Sequence, residues 1–264
     1  MQNAKTFTLG TKKLHLVFLT TVGSGLHQLT LSNSDVDLKG VFVWDRTATA
    51  GLETMNDHLD CKNTEPAEWA DLMQQLNVEF NLELEAKDDL ELWGAKKFFL
   101  TALKNDFNMF DMLFSKLEPK FKADVFQPVL DNKELFLNMK QADNRFGGMA
   151  RGALHEAKKL FRKDTKTPKE DNDLKKNLAK SLQFFFSLDN LLKTQTHNPV
   201  LSEEQRFEVL EVKKGLVSLE DVAKRHSELS EMVEKTKTMP NVFDKVDDRE
   251  TLNTLLFNLT LSTQ

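Results

Sequence analysis

The sequence predicts an α+β fold in which a small mixed-sheet domain, residues 1–118, precedes an α-helical domain, residues 119–264. Before Pro119, apolar runs of strand length alternate with a glycine corner and polar stretches. After Pro119, apolar residues recur at spacings of three and four, with few β-branched runs, which is typical of packed helices. The length of 264 residues lies between one domain and two and allows this division.

Each element of the first domain follows from a local pattern. The apolar residues 14–19 predict a first strand and residues 35–44 a second, joined by the Gly23-Ser24 corner and a short helix over residues 25–31. Polar residues between 45 and 76 predict loops, with a short helix at 67–75. Residues 78–93 alternate apolar and acidic side chains and predict one or two strands, followed by a helix at 93–105.

The second strand carries two aspartates on one face. Side chains alternate along a strand, so Asp35 and Asp37 point to the same side while Val36 and Leu38 point to the other. The surrounding run is apolar, and buried carboxylates need a partner such as a cation. Asp35 and Asp37 are therefore candidate ligands of a divalent metal ion.

The corner before that strand suits a phosphate. Gly23 allows a close backbone approach to a ligand, and Ser24 begins the short predicted helix, whose free N–H groups favour an anion. The order of the stretch is thus strand, phosphate corner, helix and metal strand.

This order resembles the signature of the DNA polymerase β-like nucleotidyltransferase superfamily. Residues 34–43, SDVDLKGVFV, resemble more closely a branch of predicted bacterial and phage nucleotidyltransferases whose pattern is near GSxxYGxxxxxSDxDxRGV. Residues 92–115 and 208–225 are similar to later segments of the same branch. The resemblance covers most of the chain and is strongest at residues 19–43.

The resemblance implies a polymerase β-like palm domain that transfers a nucleoside monophosphate from a nucleoside triphosphate, such as ATP, to a hydroxyl. It implies two Mg²⁺ ions held by Asp35, Asp37 and a third carboxylate on a neighbouring strand. Asp89 is the first choice for that acid, and Glu91, on the same strand face, is the second. Gly23 and Ser24 would hold the triphosphate.

Several residues depart from the pattern of the branch. The usual Tyr after the corner is missing, with His27 in its neighbourhood. Asp111 takes the place of a recurrent Glu, either as an acid behind the site or as a helix cap or structural hydrogen-bonding group. The branch commonly has a Tyr-His-x-Leu-Arg run after a Lys. In this chain the Lys is retained as Lys176, but Lys180 replaces the His and Gln183 replaces the Arg. Lys176 and Lys180 are candidate nucleotide contacts, and the alternative is a retired transferase that only binds nucleotide, RNA or a protein.

One segment is basic although the chain carries a net charge of −5. Residues 151–180 contain ten Lys or Arg against five Asp or Glu. The segment is either a solvated helix face or a wall facing the triphosphate, and several cations together suit a phosphate backbone. The acceptor predicted from it is an RNA end, tRNA included. The competing acceptor is a protein hydroxyl, including one on a partner toxin or on the enzyme itself.

Composition excludes other classes. No apolar run approaches the roughly 18 residues that a membrane span needs, and the start MQNAKTFTLG lacks the apolar segment of a signal peptide, so we expect a cytoplasmic protein without a membrane partner. The single cysteine, Cys61, excludes an internal disulfide and a cysteine-built zinc site. The absence of H-x-x-x-H, G-x-S-x-G and Walker motifs disfavours zinc enzymes, hydrolase triads and P-loop chemistry.

Overall fold

The computed structural model describes residues 2–30, 37–49, 55–84, 89–238 and 248–263. Within these residues the fold is mixed α/β, with one small sheet in the order β1-β2-β3-β5-β4 and β6 added beside β2. β3 and β5 are parallel, and the other pairs are antiparallel. The strands are β1 (Lys5–Leu9), β2 (Lys12–Val22), β3 (Asp37–Trp44), β4 (His58–Leu59), β5 (Asp89–Gly94) and β6 (Phe121–Lys122).

Helices cover the sheet and make up most of the second half of the chain. The first six are α1 (Gly23–Leu26), α2 (Arg46–Thr49), α3 (Pro66–Phe80), α4 (Ala95–Ala102), α5 (Phe107–Phe114) and α6 (Gln127–Asp131). The remaining five are α7 (Met139–Phe161), α8 (Pro168–Thr194), α9 (Glu203–Lys214), α10 (Leu219–Lys237) and α11 (Arg249–Ser262). No helix in the described ranges is both long and apolar enough to cross a membrane.

The long helices begin and end where the sequence supplies caps. α8 starts with a capping box between Thr167 and Glu170, with proline at its first position. α9 starts with a second box, between Ser202 and Gln205, and ends at Gly215, whose φ of 80° favours glycine. These caps fix the two helices that carry one wall of the cavity described below.

An aromatic cluster joins the sheet side to the helical side. The Phe107 ring of α5 contacts Phe146 of α7 at 5.1 Å and Phe184 of α8 at 4.9 Å between centroids. All three rings are buried, and each large apolar side chain contributes about 1.5–3 kcal/mol when fully buried. The α7–α8 hairpin is therefore packed against α5, which lies between β5 and β6 in the chain.

Several predicted elements differ in the structure. The helix predicted at 67–75 extends over Pro66–Phe80, so residues 78–80, predicted as strand, are helical and end at Asn81 with a φ of 50°. The helix predicted at 25–31 ends at Leu26. β1, β4 and the two-residue β6 were not predicted. Residues 31–36 and 85–88 of the predicted elements lie outside the described residues.

Candidate active site

The parallel pairing of β3 with β5 brings acidic side chains together. Asp37 is the register partner of Asp89, and two residues further Lys39 is the partner of Glu91. Paired positions on neighbouring strands share a sheet face and lie about 4.8 Å apart. All four side chains line a cavity of about 540 Å³. The predicted carboxylates Asp37 and Asp89, 52 residues apart in the sequence, thus lie side by side. Asp35 lies outside the described residues.

Gly23 lies directly against Asp37. It has a φ of 66°, and a Cβ at this position would lie 1.9 Å from Asp37 Oδ2. Only glycine satisfies both the left-handed backbone and the close contact. Gly23 and Ser24 line the same cavity, so the corner after β2 and the acids of β3 and β5 belong to one site.

Glu91 is held by two donors and lies beside a histidine ring. Its carboxylate pairs with the Lys39 ammonium, accepts from the Trp93 indole at 3.3 Å and lies 3.7 Å from the His58 ring nitrogen. Burial opposes ionisation, but His58 and Lys39 outweigh it and lower the pKa of Glu91 to about 2. Such a weak base suits a structural anion.

The opposite wall is basic. Asn172, Lys176, Lys180 and Gln183 line the cavity from α8, at spacings of four, four and three that place them on one helix face. Lys213 at the end of α9 joins them. Burial lowers the pKa of Lys213, as do the charges of Lys176 and Lys180, while Asp37 opposes this shift. Crowded cations facing carboxylates suit a polyanion that also binds metal.

Sequence reasoning missed two of these cations. Lys39 stands at the Arg position of the SDxDxRG pattern, so the resemblance contained the signal for it. Lys213 lies two positions before Gly215 in the 208–225 segment, which is similar to a segment of the branch. No property of either lysine alone distinguishes it from the other lysines of the chain.

A buried polar cluster forms the floor between the walls. His27 Nε2 donates to Asp111 Oδ2 at 2.7 Å, and His197 Nε2 donates to Asp111 Oδ1 at 3.3 Å. His27 Nδ1 donates to the Pro199 carbonyl at 2.6 Å. Both ring nitrogens of His27 thus face acceptors, which requires an imidazolium. Asp111 is a buried hydrogen-bonding group here, and the cap of α5 is Asp106.

The directions of the two pKa shifts agree with an ion pair. Burial works against a charge on His27, but Asp111 and the Pro199 carbonyl outweigh it and raise the pKa of His27. Burial would raise the pKa of Asp111, but the charge of His27 and the hydrogen bonds from both histidines lower it. Together with the two acceptors around the His27 ring, these directions favour a buried imidazolium beside a buried carboxylate.

The acids suit Mg²⁺ by donor type. Carboxylate oxygens are the ligands that this ion prefers, and Asp37 and Asp89 present them side by side. Among the described residues, no group of three His, Cys, Asp or Glu side chains is arranged to hold a metal ion. The predicted set of three includes Asp35, so the described pair supplies two of its members.

Comparison with known proteins supports the resemblance. A family model described as the RNA repair pathway DNA polymerase beta family, RlaP, matches residues 4–258. A comparison with curated proteins finds no match. The match spans nearly the whole chain, including the acidic strands, the α7–α8 hairpin and the end of α9, and it confirms the polymerase β-like assignment. The chain belongs to the RlaP family, the RNA repair pathway DNA polymerase beta family.

Proposed function

We propose that the chain transfers a nucleoside monophosphate from a nucleoside triphosphate to a hydroxyl at an RNA end. The observation that carries this proposal is the pairing of Asp37 with Asp89 across a cavity from Lys176, Lys180 and Lys213. The carboxylates suit metal and proton chemistry, and the lysines suit the negative charge of a triphosphate. The family supports nucleotidyl transfer in RNA repair.

The reaction assigns a role to each wall. The acceptor oxygen forms a bond to the α-phosphorus, the bond from that phosphorus to the bridging β-phosphate oxygen breaks, and pyrophosphate leaves. Two Mg²⁺ ions held by Asp35, Asp37 and Asp89 would stabilise the entering and leaving oxygens when bound. Asp89 accepts the hydroxyl proton, because Glu91 is neutralised by Lys39.

The triphosphate is oriented by the remaining residues. Gly23 and Ser24 provide an open backbone corner beside Asp37, and Lys176, Lys180 and Lys213 pair with the phosphates from the helical wall. Binding between two charged walls fixes the α-phosphorus near the acids and lowers the entropic cost of the attack. Burial reduces the solvation of the Lys213 ammonium, so water screens its attraction to a phosphate less.

The acceptor surface lies on the α7–α8 hairpin. The basic segment 151–180 includes the end of α7 and the first half of α8, and its Lys176 and Lys180 line the cavity. Lys158, Lys159 and Arg162 are exposed near the hairpin turn. A basic surface continuous with the cavity suits an RNA strand whose end enters the site.

Labelling with each α-labelled nucleoside triphosphate and a whole-cell lysate tests the acceptor. We expect label that resists protease and disappears with ribonuclease. Label that resists ribonuclease and disappears with protease would instead indicate a protein acceptor. If no nucleotide gives label, the result would favour the retired transferase that only binds.

A charge-neutralised variant tests the surface. Changing Lys158, Lys159, Arg162 and Lys163 to Gln should weaken RNA binding and flatten its salt dependence. The matched control changes four exposed lysines elsewhere, Lys104, Lys116, Lys120 and Lys224, and should preserve both. Equal losses in the two variants would refute a specific role of the hairpin.

A further inference from the structure

Residues 27–29 follow the Gly23-Ser24 corner, and each forms a hydrogen bond with α9 or with the loop that precedes α9. His27 Nδ1 donates to the Pro199 carbonyl at 2.6 Å, and Lys213 Nζ donates to the Leu29 carbonyl at 2.6 Å. Between them, the Arg206 guanidinium donates to the Gln28 side chain. We call this set the α9 latch: residues 27–29 with Pro199, Arg206 and Lys213. It fixes one side of α9 to the segment that connects the corner with β3.

The backbone at the centre of the latch is strained. Gln28 has a φ of 56°, in the left-handed region that residues other than glycine rarely adopt. Such a conformation persists only where the surrounding contacts fix it. The bonds on both sides of Gln28 supply those contacts, so the shape of the segment depends on the seating of α9.

Asp111 fixes the first bond of the latch. Its carboxylate accepts from His27 Nε2 and from His197, and it is almost fully buried. Because His27 donates from both nitrogens, Asp111 sets the orientation and protonation of the ring that binds Pro199. His197 is enclosed by Phe107, Phe110, Phe114 and Phe146 rings. The cluster is rigid on the side away from α9.

The last bond of the latch leads into the cavity. Lys213 is bound to Leu29, lines the cavity wall and interacts electrostatically with Asp37, Lys176 and Lys180. Its neighbour Lys214 instead pairs with Glu211 on α9 and does not line the cavity. Displacement of α9 would therefore move one cation of the site while leaving the lysines of α8 in place.

We propose that His27 and Asp111 are positioning residues that act through α9: they seat Lys213 where it binds the triphosphate. This proposal rests on the proposed function, because it assumes that Lys213 contacts a phosphate. Both ring nitrogens of His27 already donate to Pro199 and Asp111, so no ring N–H is left to donate to the ligand, and the double-mutant cycle below tests whether the effect of His27 passes through Lys213.

A double-mutant cycle with inorganic tripolyphosphate as the probe, measured by isothermal titration calorimetry, tests this route. Lys213→Ala should weaken binding about tenfold, the loss of one charge-assisted contact. His27→Gln should weaken it by a similar factor in the wild-type background and hardly at all in the Lys213→Ala background. Arg206→Ala breaks the latch without disturbing the buried cluster and should show the same dependence on Lys213.

Two controls separate positioning from general destabilisation. His226→Gln changes another buried histidine, on α10, whose ring packs against Phe185 of α8, and should lower the melting temperature without changing tripolyphosphate affinity. Lys214→Ala should leave affinity unchanged. If His27→Gln and Arg206→Ala weaken binding equally in both backgrounds, the latch does not act through Lys213. If wild type binds no tripolyphosphate, the triphosphate site of the proposed function fails instead.

Discussion

Replacement of Asp111 by Asn tests the buried ion pair most directly. The change leaves the His27 imidazolium without its carboxylate inside the core. Removing one partner of a buried ion pair costs about 3–5 kcal/mol. We take the lower end, about 3 kcal/mol, because the Asn oxygen still accepts one hydrogen bond. At about 2–4 °C per kcal/mol for a chain of this size, the melting temperature should fall by about 6–12 °C.

The pH dependence of this loss has a defined sign. The pKa of His27 is raised in the folded state, so its contribution is fully present below about 6.5 and is lost as the pH rises through the folded value. The pKa of Asp111 is lowered, so its contribution is present above about 3.8 and is lost as the pH falls through the folded value. Among the described residues, the charged groups that act on His27 are Asp111 and Asp37. Both contributions coexist between about pH 4 and 6.5.

Thermal melts by circular dichroism from pH 5 to 9 measure how the stability difference between wild type and Asp111→Asn changes with pH. The difference between wild type and Asp111→Asn should be largest near pH 5–6.5 and should narrow as the pH rises through the folded pKa of His27, with a limiting slope of about 1.4 kcal/mol per pH unit. Glu228→Gln, which breaks a contact with Arg225 on the surface, is the control and should cost less than about 1 kcal/mol. A difference that is constant across this range would refute the imidazolium at residue 27.

Three further outcomes follow from the site. Magnesium with excess nucleoside triphosphate should stabilise wild type by about 2.7 kcal/mol at 100 times Kd, and Asp35→Asn and Asp37→Asn should each lose most of that gain in thermal melts. Asp89→Asn should lower kcat at least about 100-fold with little change in melting temperature, whereas Glu91→Gln should chiefly lower the melting temperature. Gly152→Ala should raise stability by about 1 kcal/mol in urea unfolding, because an added Cβ meets nothing within 4 Å on the exposed face of α7.

The sequence could predict the acidic face because the relevant geometry is local. Alternation along a strand places Asp89 and Glu91 on one face without knowledge of the rest of the fold. The parallel register that puts Asp37 opposite Asp89 is not local. The family resemblance supplied only the expectation that a third carboxylate lies on a neighbouring strand. The described residues contain one aspartate of the Asp-x-Asp motif, so the role of Asp35 stays a prediction.

The errors in secondary structure have a common cause. Residues 78–80 show the apolar and acidic alternation of a strand, but they continue α3, and Val78 is 79% exposed. Three residues are too few to separate strand alternation from the last turn of a helix, where an apolar side chain such as Val78 can lie on the exposed face. The αL residue Asn81, which ends the helix, is the local signal that distinguishes the two.

The buried cluster was beyond sequence reasoning because its members are far apart in the chain. His27, Asp111 and His197 are each unremarkable in their own segments, and Asp111 fits a helix face as well as it fits a site. Two of the three are departures from the family pattern, and in the structure these two departures contact each other at 2.7 Å. A histidine without its carboxylate would leave a buried donor unpaired, and a carboxylate without its histidine would leave a buried charge. Each substitution therefore makes physical sense only in the presence of the other, and the pair preserves the bond between the corner and the α8–α9 connection that keeps Lys213 facing the acids.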